Sequence, residues 1–345
     1  MIGAAARLVL NACAITMLVA CGQSLTVTSV PRVYNDAASS SRDLARGCPL
    51  KRCIIVGSQP GYRNRPRASV LFFSSESNGN VPPVAEIRGS KTRLGFPAGL
   101  ATDSRHDIYV ANTGPDAITV YAANSQGNVA PIRVISGFKT RLYRPTGIAI
   151  DARDQLYVAN QRNDITIYAA KANGDAAPVR VIKGKATKLY APWGLAFDSQ
   201  SNLYVANNDP NNGWITVYAP NAAGNAPPER TIRGSATKLQ GPTGLAVDAS
   251  GYLYVVNASS VGSLVTIFAP GANGNQAPLS YFSGGYAAFG VALGHHRIYV
   301  TSVGYDDYPF IATFDGGAVG NYGDLLRKIQ GRKTKMISPE GIIVR

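Results

Sequence analysis

Six residues share one recurring context, each directly before a glycine that opens an apolar run: Ala98, Thr146, Trp193, Thr243, Phe289 and Glu340. Their neighbours repeat and they do not. Positions free of a repeat's constraint are where a specific ligand can be read, with Trp193 and Phe289 as apolar or stacking faces and Glu340 as the single carboxylate of the set. The competing role is to plug a channel with side chains. A second series, Asn112, Asn160, Asn207 and Asn257, with Ser302 and Ser58 at the matching places, offers amide oxygens. Together with Glu340 these could hold a hard cation such as calcium and support metal-assisted hydrolysis. Asn in such a place also caps turns through its side chain, which is the simpler expectation.

Other titratable residues point away from catalysis. Asp103, Asp151, Asp198 and Asp248 each head a short hairpin and suit turn chemistry. His106, His295 and His296 fall in two separate hairpins and do not converge as metal ligands must. No Gly-x-Ser-x-Gly elbow, His-Glu-x-x-His helix or phosphate-cradling loop occurs, so nucleophilic and phosphoryl-transfer chemistry lack support. The sequence assigns no catalytic residue, cofactor or metal.

The strongest chemical signal is charge. The segments RGSKTRLGFP, SGFKTRLYRP, KGKATKLYAP, RGSATKLQGP, SGGYAAF and QGRKTKMISP hold 14 Lys or Arg and no Asp or Glu. Once the N-terminal leader and its Arg7 are removed, 33 bases stand against 20 acids, a net charge of +13. A field of this kind draws anions and speeds their encounter, and it repels a free cation from a mouth with one carboxylate. The anion-binding candidates are Lys91, Arg93, Lys139, Arg141, Lys185, Lys188, Lys238, Lys333 and Lys335. Lys and Arg stems that merely cover loop hydrophobics are the alternative.

The elements that carry these residues follow from a repeat. PTGLAVDASGYLYVVN at 242 has near copies at 97, 145 and 192, and the opening glycines are Gly99, Gly147, Gly194, Gly244, Gly290 and Gly341, spaced by 48, 47, 50, 46 and 51. Such a period marks a propeller or another repeat array. Within a unit, four apolar segments of four to six residues, rich in Val, Ile and Tyr, are separated by Gly, Asn, Asp and Pro and read as strands. Neither face is consistently polar, so the sheets pack face to face. A second series, Gly79, Gly127, Gly174, Gly224, Gly274 and Gly320, each followed by Asn or Asp, reads as the tight turn between third and fourth strands. Residues 53 to 88 lack a first strand and the last unit, PEGIIVR, has nothing else. The two ends therefore complete one sheet.

The expected fold is all-β: a six-bladed propeller of four-stranded blades over residues 48–345, its ring closed by pairing the N-terminal strands with the C-terminal one. Alternation puts the start of each first strand, the end of each second and the basic loops on one rim, the mouth, and the histidines on the other. The Pro-x-Gly-Leu-Ala-x-Asp and Leu-Tyr-Val-Ala-Asn pattern resembles the NHL-repeat family from about residue 53 to the end. That resemblance implies the propeller but not an activity, since such propellers include lyases, lactonases and binding modules. Blade five, with AAFGVALG, is the divergent copy.

Residues 8–20 form an apolar run too short to span a bilayer, and residues 1–20 read as a signal peptide. The run ends in Leu18-Val19-Ala20-Cys21, which resembles the lipobox of bacterial lipoproteins; the resemblance implies lipidation at Cys21 and, with Gly22 next, outer-membrane sorting. Residues 21–47 then form a flexible tether. Cys48 and Cys53 remain as a disulfide pair, and without nearby partners they do not make a metal site. The combined expectation is an envelope-displayed binding module for an anionic glycan, lipid head group or acidic protein; nucleic acid also fits the charge, but an exported lipoprotein would rarely meet it. A metal-dependent hydrolase or lactonase around Glu340 is the alternative. Nothing identifies an oligomeric interface.

Overall fold

The computed structural model describes residues 52–60, 67–258, 262–304, 308–316 and 324–345. The signal peptide 1–20, Cys21, the tether 21–47, Cys48 and Gly320 lie outside the described residues. Those described form six four-stranded antiparallel sheets in a ring. Blade one comprises Pro97–Thr102, Ile108–Asn112, Ala117–Tyr121 and Arg133–Ile135, and blade two Pro145–Ile150, Leu156–Asn160, Asp164–Tyr168 and Arg180–Lys183. Blade three comprises Pro192–Phe197, Leu203–Asn207, Trp214–Tyr218 and Arg230–Ile232, and blade four Pro242–Val247, Leu253–Asn257, Ser263–Phe268 and Ser280–Gly285. Blade five, Ala287–Gly294, Arg297–Val303, Phe310–Asp315 and Leu325–Gln330, has the longest first strand, at 8 residues.

Blade six joins the chain ends. Pro339–Val344 pairs antiparallel with Cys53–Ser58, which continues into Ser69–Ser74 and Ala85–Arg88. First strands touch only their neighbours around the ring, and the last touches the first, so no inner edge is left open. Apolar side chains pack between successive sheets rather than within them. Tyr109, Ile118 and Val120 of blade one, for example, meet Ile148, Leu156 and Val158 of blade two.

The glycine of each start has a physical reason. Every first strand is bulged over its opening residues: between Pro145 and Ile148, for instance, the register with the second strand shifts. The bulge brings the ring of first strands so close that a Cβ on Gly147 would fall within 3.0 Å of the Trp193 carbonyl, and one on Gly341 within 3.0 Å of the Ala98 carbonyl. All six opening glycines meet the next blade's backbone in this way. Only a residue without a side chain lets the ring close.

The connections from each fourth strand to the next first strand are rigid. Five of them carry a 3-10 turn, Ser90–Thr92, Phe138–Thr140, Lys185–Thr187, Ser235–Thr237 and Arg332–Thr334, each with a buried threonine. Thr92 Oγ1 donates to the Gly89 carbonyl at 2.8 Å, and the hydroxyl of Tyr121 in the next blade donates to the Thr92 carbonyl at 2.5 Å. Burial pushes the Tyr121 phenol up to about 12, so it remains a donor.

The glycine-Asn/Asp series does a different job from the tight turn expected of it. Its polar residue reaches across to the preceding blade and caps that blade's 3-10 turn. Asn128 Oδ1 accepts from the Lys91 N–H at 2.8 Å, Asp175 from Lys139 at 2.7 Å, and Asn225, Asn275 and Asn80 from Ala186, Ala236 and Lys333 at 2.8 Å. The adjoining glycines bond to the preceding blade's outer strand, as Gly127 does to Glu86 and Arg88. These loops cover an edge that would otherwise be free to pair with another chain.

Candidate functional site

The six variable residues do converge. Ala98, Thr146, Trp193, Thr243, Phe289 and Glu340 line the central opening together with the opening glycines. Thr146 is buried and committed to structure: its hydroxyl donates to the Pro192 carbonyl at 2.9 Å. Ala98 and Thr243 are buried too, whereas Trp193 and Phe289 are half-buried.

Glu340 is only 9% exposed, and its Oε2 has no hydrogen-bond partner among the described residues. Burial raises its pKa from 4.5 to about 7, partly opposed by a hydrogen bond from the Gln59 side chain. A carboxyl in this state exchanges between donor-acceptor and pure acceptor near neutrality. Its backbone is held in turn, because the Thr301 hydroxyl donates to the Glu340 carbonyl at 2.9 Å.

Above Glu340 and Trp193 the mouth widens into a cleft of about 480 Å³, walled by Phe96, Asp116, Arg144, Gln161 and Gln59. Phe96 and Arg144 come from the last residue before the proline of blades one and two. Both have positive φ, 57° and 44°, a conformation that suits glycine, and blade four does have Gly241 there. Asp116 Oδ1 accepts from the Arg144 N–H at 2.5 Å, as Asn163 does for Ala191 at 2.7 Å.

Trp193 and Trp214, the chain's two tryptophans, contrast sharply. Trp214 donates from Nε1 to the Lys188 carbonyl at 3.0 Å, packs on Tyr190 with ring centroids 5.8 Å apart and lies under Arg233. Trp193 has no ring or hydrogen-bond partner among the described residues, yet it faces both the opening and the cleft.

The nine basic candidates stand elsewhere. All are exposed, and none lines the opening or the cleft. Their placement follows from the loops, which start at an outer strand and end at an inner one. The lysines and arginines occupy the outer 3-10 turns, and only the Phe96 and Arg144 ends reach the centre. The expected basic mouth is therefore a belt of positive turns around the ring. Nor is it free of acids, because a neighbouring element supplies one: Lys335 Nζ lies 2.9 Å from Glu86 Oε1; Lys238 instead sits 4.9 Å over the Tyr281 ring.

The metal set does not survive the geometry. Asn112 Oδ1 accepts from the Gly95 N–H at 2.9 Å while its Nδ2 donates to Thr119 at 3.0 Å. Asn160, Asn207 and Asn257 repeat this with Tyr143, Tyr190 and Gln240. Ser58 does the same in blade six, accepting from Ile337 at 3.0 Å. Each of these oxygens accepts a loop N–H and so pins a mouth loop, and none of these residues lines the opening or the cleft with Glu340. No group of three or more His, Cys, Asp or Glu is placed to hold a metal among the described residues.

The Asp series makes turns, as expected. Asp103 Oδ1 accepts from the N–H groups of Arg105 and Asp107 at 3.0 and 2.9 Å. The histidines lie in the hairpins of the far rim with positive φ, and His295 Nε2 is 2.9 Å from the Arg345 carbonyl. Asp116, Arg144, Phe96, Gln59 and Gln161 were not singled out by sequence reasoning. Their signal was available in part: the loops after the second strands end on the same rim as the first strands begin.

No family model matches the chain, and no curated protein matches it. A solved structure does. A protein of unknown function from Bacteroides caccae superposes with a TM-score of 0.59 at 9% identity, over 85% of this chain and 99% of its own. The likeness is one of fold. The chain is a six-bladed β-propeller, and its NHL-like pattern remains a resemblance in sequence.

Proposed function

We propose that this propeller is a binding module, anchored through lipid at Cys21 in a bacterial outer membrane, that engages an extended anionic partner through its belt of basic turns. One observation carries the reading. The left-handed residue that ends each described 3-10 turn is Arg93, Arg141, Lys188, Lys238 or Lys335, with φ between 56° and 62°. Gly or Asn fits that conformation at least cost, whereas a base there costs about 1 kcal/mol. A basic residue at all five supplies charge that the turn itself does not need.

The turns fix the backbone from which these charges project, so binding has only the side chains left to order. Phe138 adds to this surface: it is 97% exposed, directly before Lys139. An apolar ring beside bases suits contact with an acidic polymer or an anionic head-group layer. A Cys48–Cys53 bridge, part of the same proposal, would pin the chain where Cys53 enters the second strand of blade six, at 3% exposure.

The test is binding of the purified full-length protein to acidic polysaccharides, and to anionic against neutral vesicles, at low and moderate salt. Salt-sensitive binding that weakens when Lys139 and Arg141 are both reversed to Glu supports the reading. Binding indifferent to salt and to that reversal refutes it.

A further inference from the structure

The cleft over the central opening is separate from the basic belt, and its chemistry is different. Its floor holds a carboxyl oxygen that is shielded from solvent and has no hydrogen-bond partner among the described residues, and its wall an indole with no ring or hydrogen-bond partner among them. Each is unusual by itself: buried polar atoms are nearly always paired, and a half-buried tryptophan usually finds a partner, as Trp214 does. Together they describe a surface that is complementary to something absent. Phe96 and Arg144 extend the same wall from the residue before the proline, a position that has positive φ in blades one to four alike.

Charge narrows the occupant. The cleft carries Arg144 as well as Asp116 and Glu340, inside a chain with net positive charge, so it favours neither a small cation nor a small anion. What it does offer is an aromatic side chain beside planar groups that donate and accept: the Gln161 amide, the Asp116 carboxylate and the Arg144 guanidinium. A pyranose ring has the matching form. Its axial C–H face stacks on indole, and its vicinal hydroxyls, each both donor and acceptor, satisfy paired planar groups. A buried carboxyl that exchanges its proton near neutrality suits a hydroxyl partner better than a permanent charge.

We propose that the central cleft binds a neutral sugar ring, stacked on Trp193 with a hydroxyl on the Glu340 carboxyl. The site is independent of the basic belt.

The experiment is calorimetric titration of the full-length protein with methyl glucoside, methyl galactoside and N-acetylglucosamine. Tetramethylammonium and inorganic phosphate serve as charged controls, all at low and at moderate salt. The expected result is saturable binding of at least one sugar, unchanged by salt or by the Lys139→Glu, Arg141→Glu double variant. Trp193→Ala should weaken it about tenfold or more, while Trp193→Phe, which keeps a ring face, largely restores it. If Trp193→Ala fails to fold, Gln161→Ala and Glu340→Gln decide, each expected to weaken binding several-fold. No binding by any of the three sugars to folded protein overturns the proposal. So does sugar binding indifferent to these substitutions, or saturation by either charged control in preference to sugar.

Discussion

Replacing Glu340 with Gln should make the propeller more stable at pH 8 than the wild type and nearly equal to it at pH 5. The folded carboxyl has its pKa raised to about 7 from 4.5 by burial. Between those values the folded state binds the proton that the unfolded chain has released, so the group's effect on stability worsens as pH rises and is complete above pH 7. A shift of this size corresponds to about 3 kcal/mol at high pH, of which less than about 1 kcal/mol is already present at pH 5. Gln has nearly the same volume and does not ionise. The difference between variant and wild type should therefore grow by about 2–3 kcal/mol from pH 5 to pH 8, or about 5 °C in Tm. Urea denaturation of both proteins at pH 5, 6, 7 and 8 measures it, and all other titrating groups cancel in the comparison. A difference that stays constant across this range would refute the burial argument, and a wild type that gains on the variant with rising pH would reverse its sign.

Substitution at glycines should separate two structural roles. Gly147→Ala drives a methyl into the Trp193 carbonyl and should cost more than about 3 kcal/mol, whereas Gly127→Ala, at φ 74° with open space around it, should cost about 1 kcal/mol; chemical denaturation compares them. Asn128→Ala removes the side-chain acceptor of the Lys91 N–H and should cost about 1 kcal/mol, while Asp175→Asn should be close to neutral because Asn serves in the four sister blades; both are read from denaturation midpoints. Asn207→Ala leaves the Tyr190 N–H and the Thr216 hydroxyl without their partner inside the rim and should cost about 2–3 kcal/mol, with faster amide exchange of Tyr190. Deleting Pro339–Val344 exposes the strand Cys53–Ser58 as an open inner edge, and a truncated protein that stayed monomeric with an unchanged Tm would contradict the role given to ring closure.

The architecture was legible in the sequence because a repeat states its rule several times. Two independent glycine series each numbered six, and the missing first strand at one end matched the surplus strand at the other, so blade count and closure followed without coordinates. The opening glycines and the turn-making Asp series were legible in place. Their reasons were partly hidden, since only the ring shows that Gly147 is required by a carbonyl 46 residues later, that of Trp193.

Long-range partners were the part that sequence could not give. The Asn and Asp after the third strands were read within their own unit, but they cap the unit before, a contact made by the curvature of the ring. The second-strand asparagines were legible as side-chain caps, but not which loop N–H each holds, such as that of Gly95 on Asn112. The basic residues were legible as an excess within the loop segments, but the acids that neighbouring elements bring to them, such as Glu86 to Lys335, were not. Each loop spans from the outside of one blade to the centre of the next, so residues a few positions apart, such as Arg141 and Arg144, belong to different surfaces. Sequence determined which residues are repeated and which are free. The tertiary structure decided which of the free ones meet, because the ring closure that brings Glu340 and Trp193 over one opening joins segments from opposite ends of the chain.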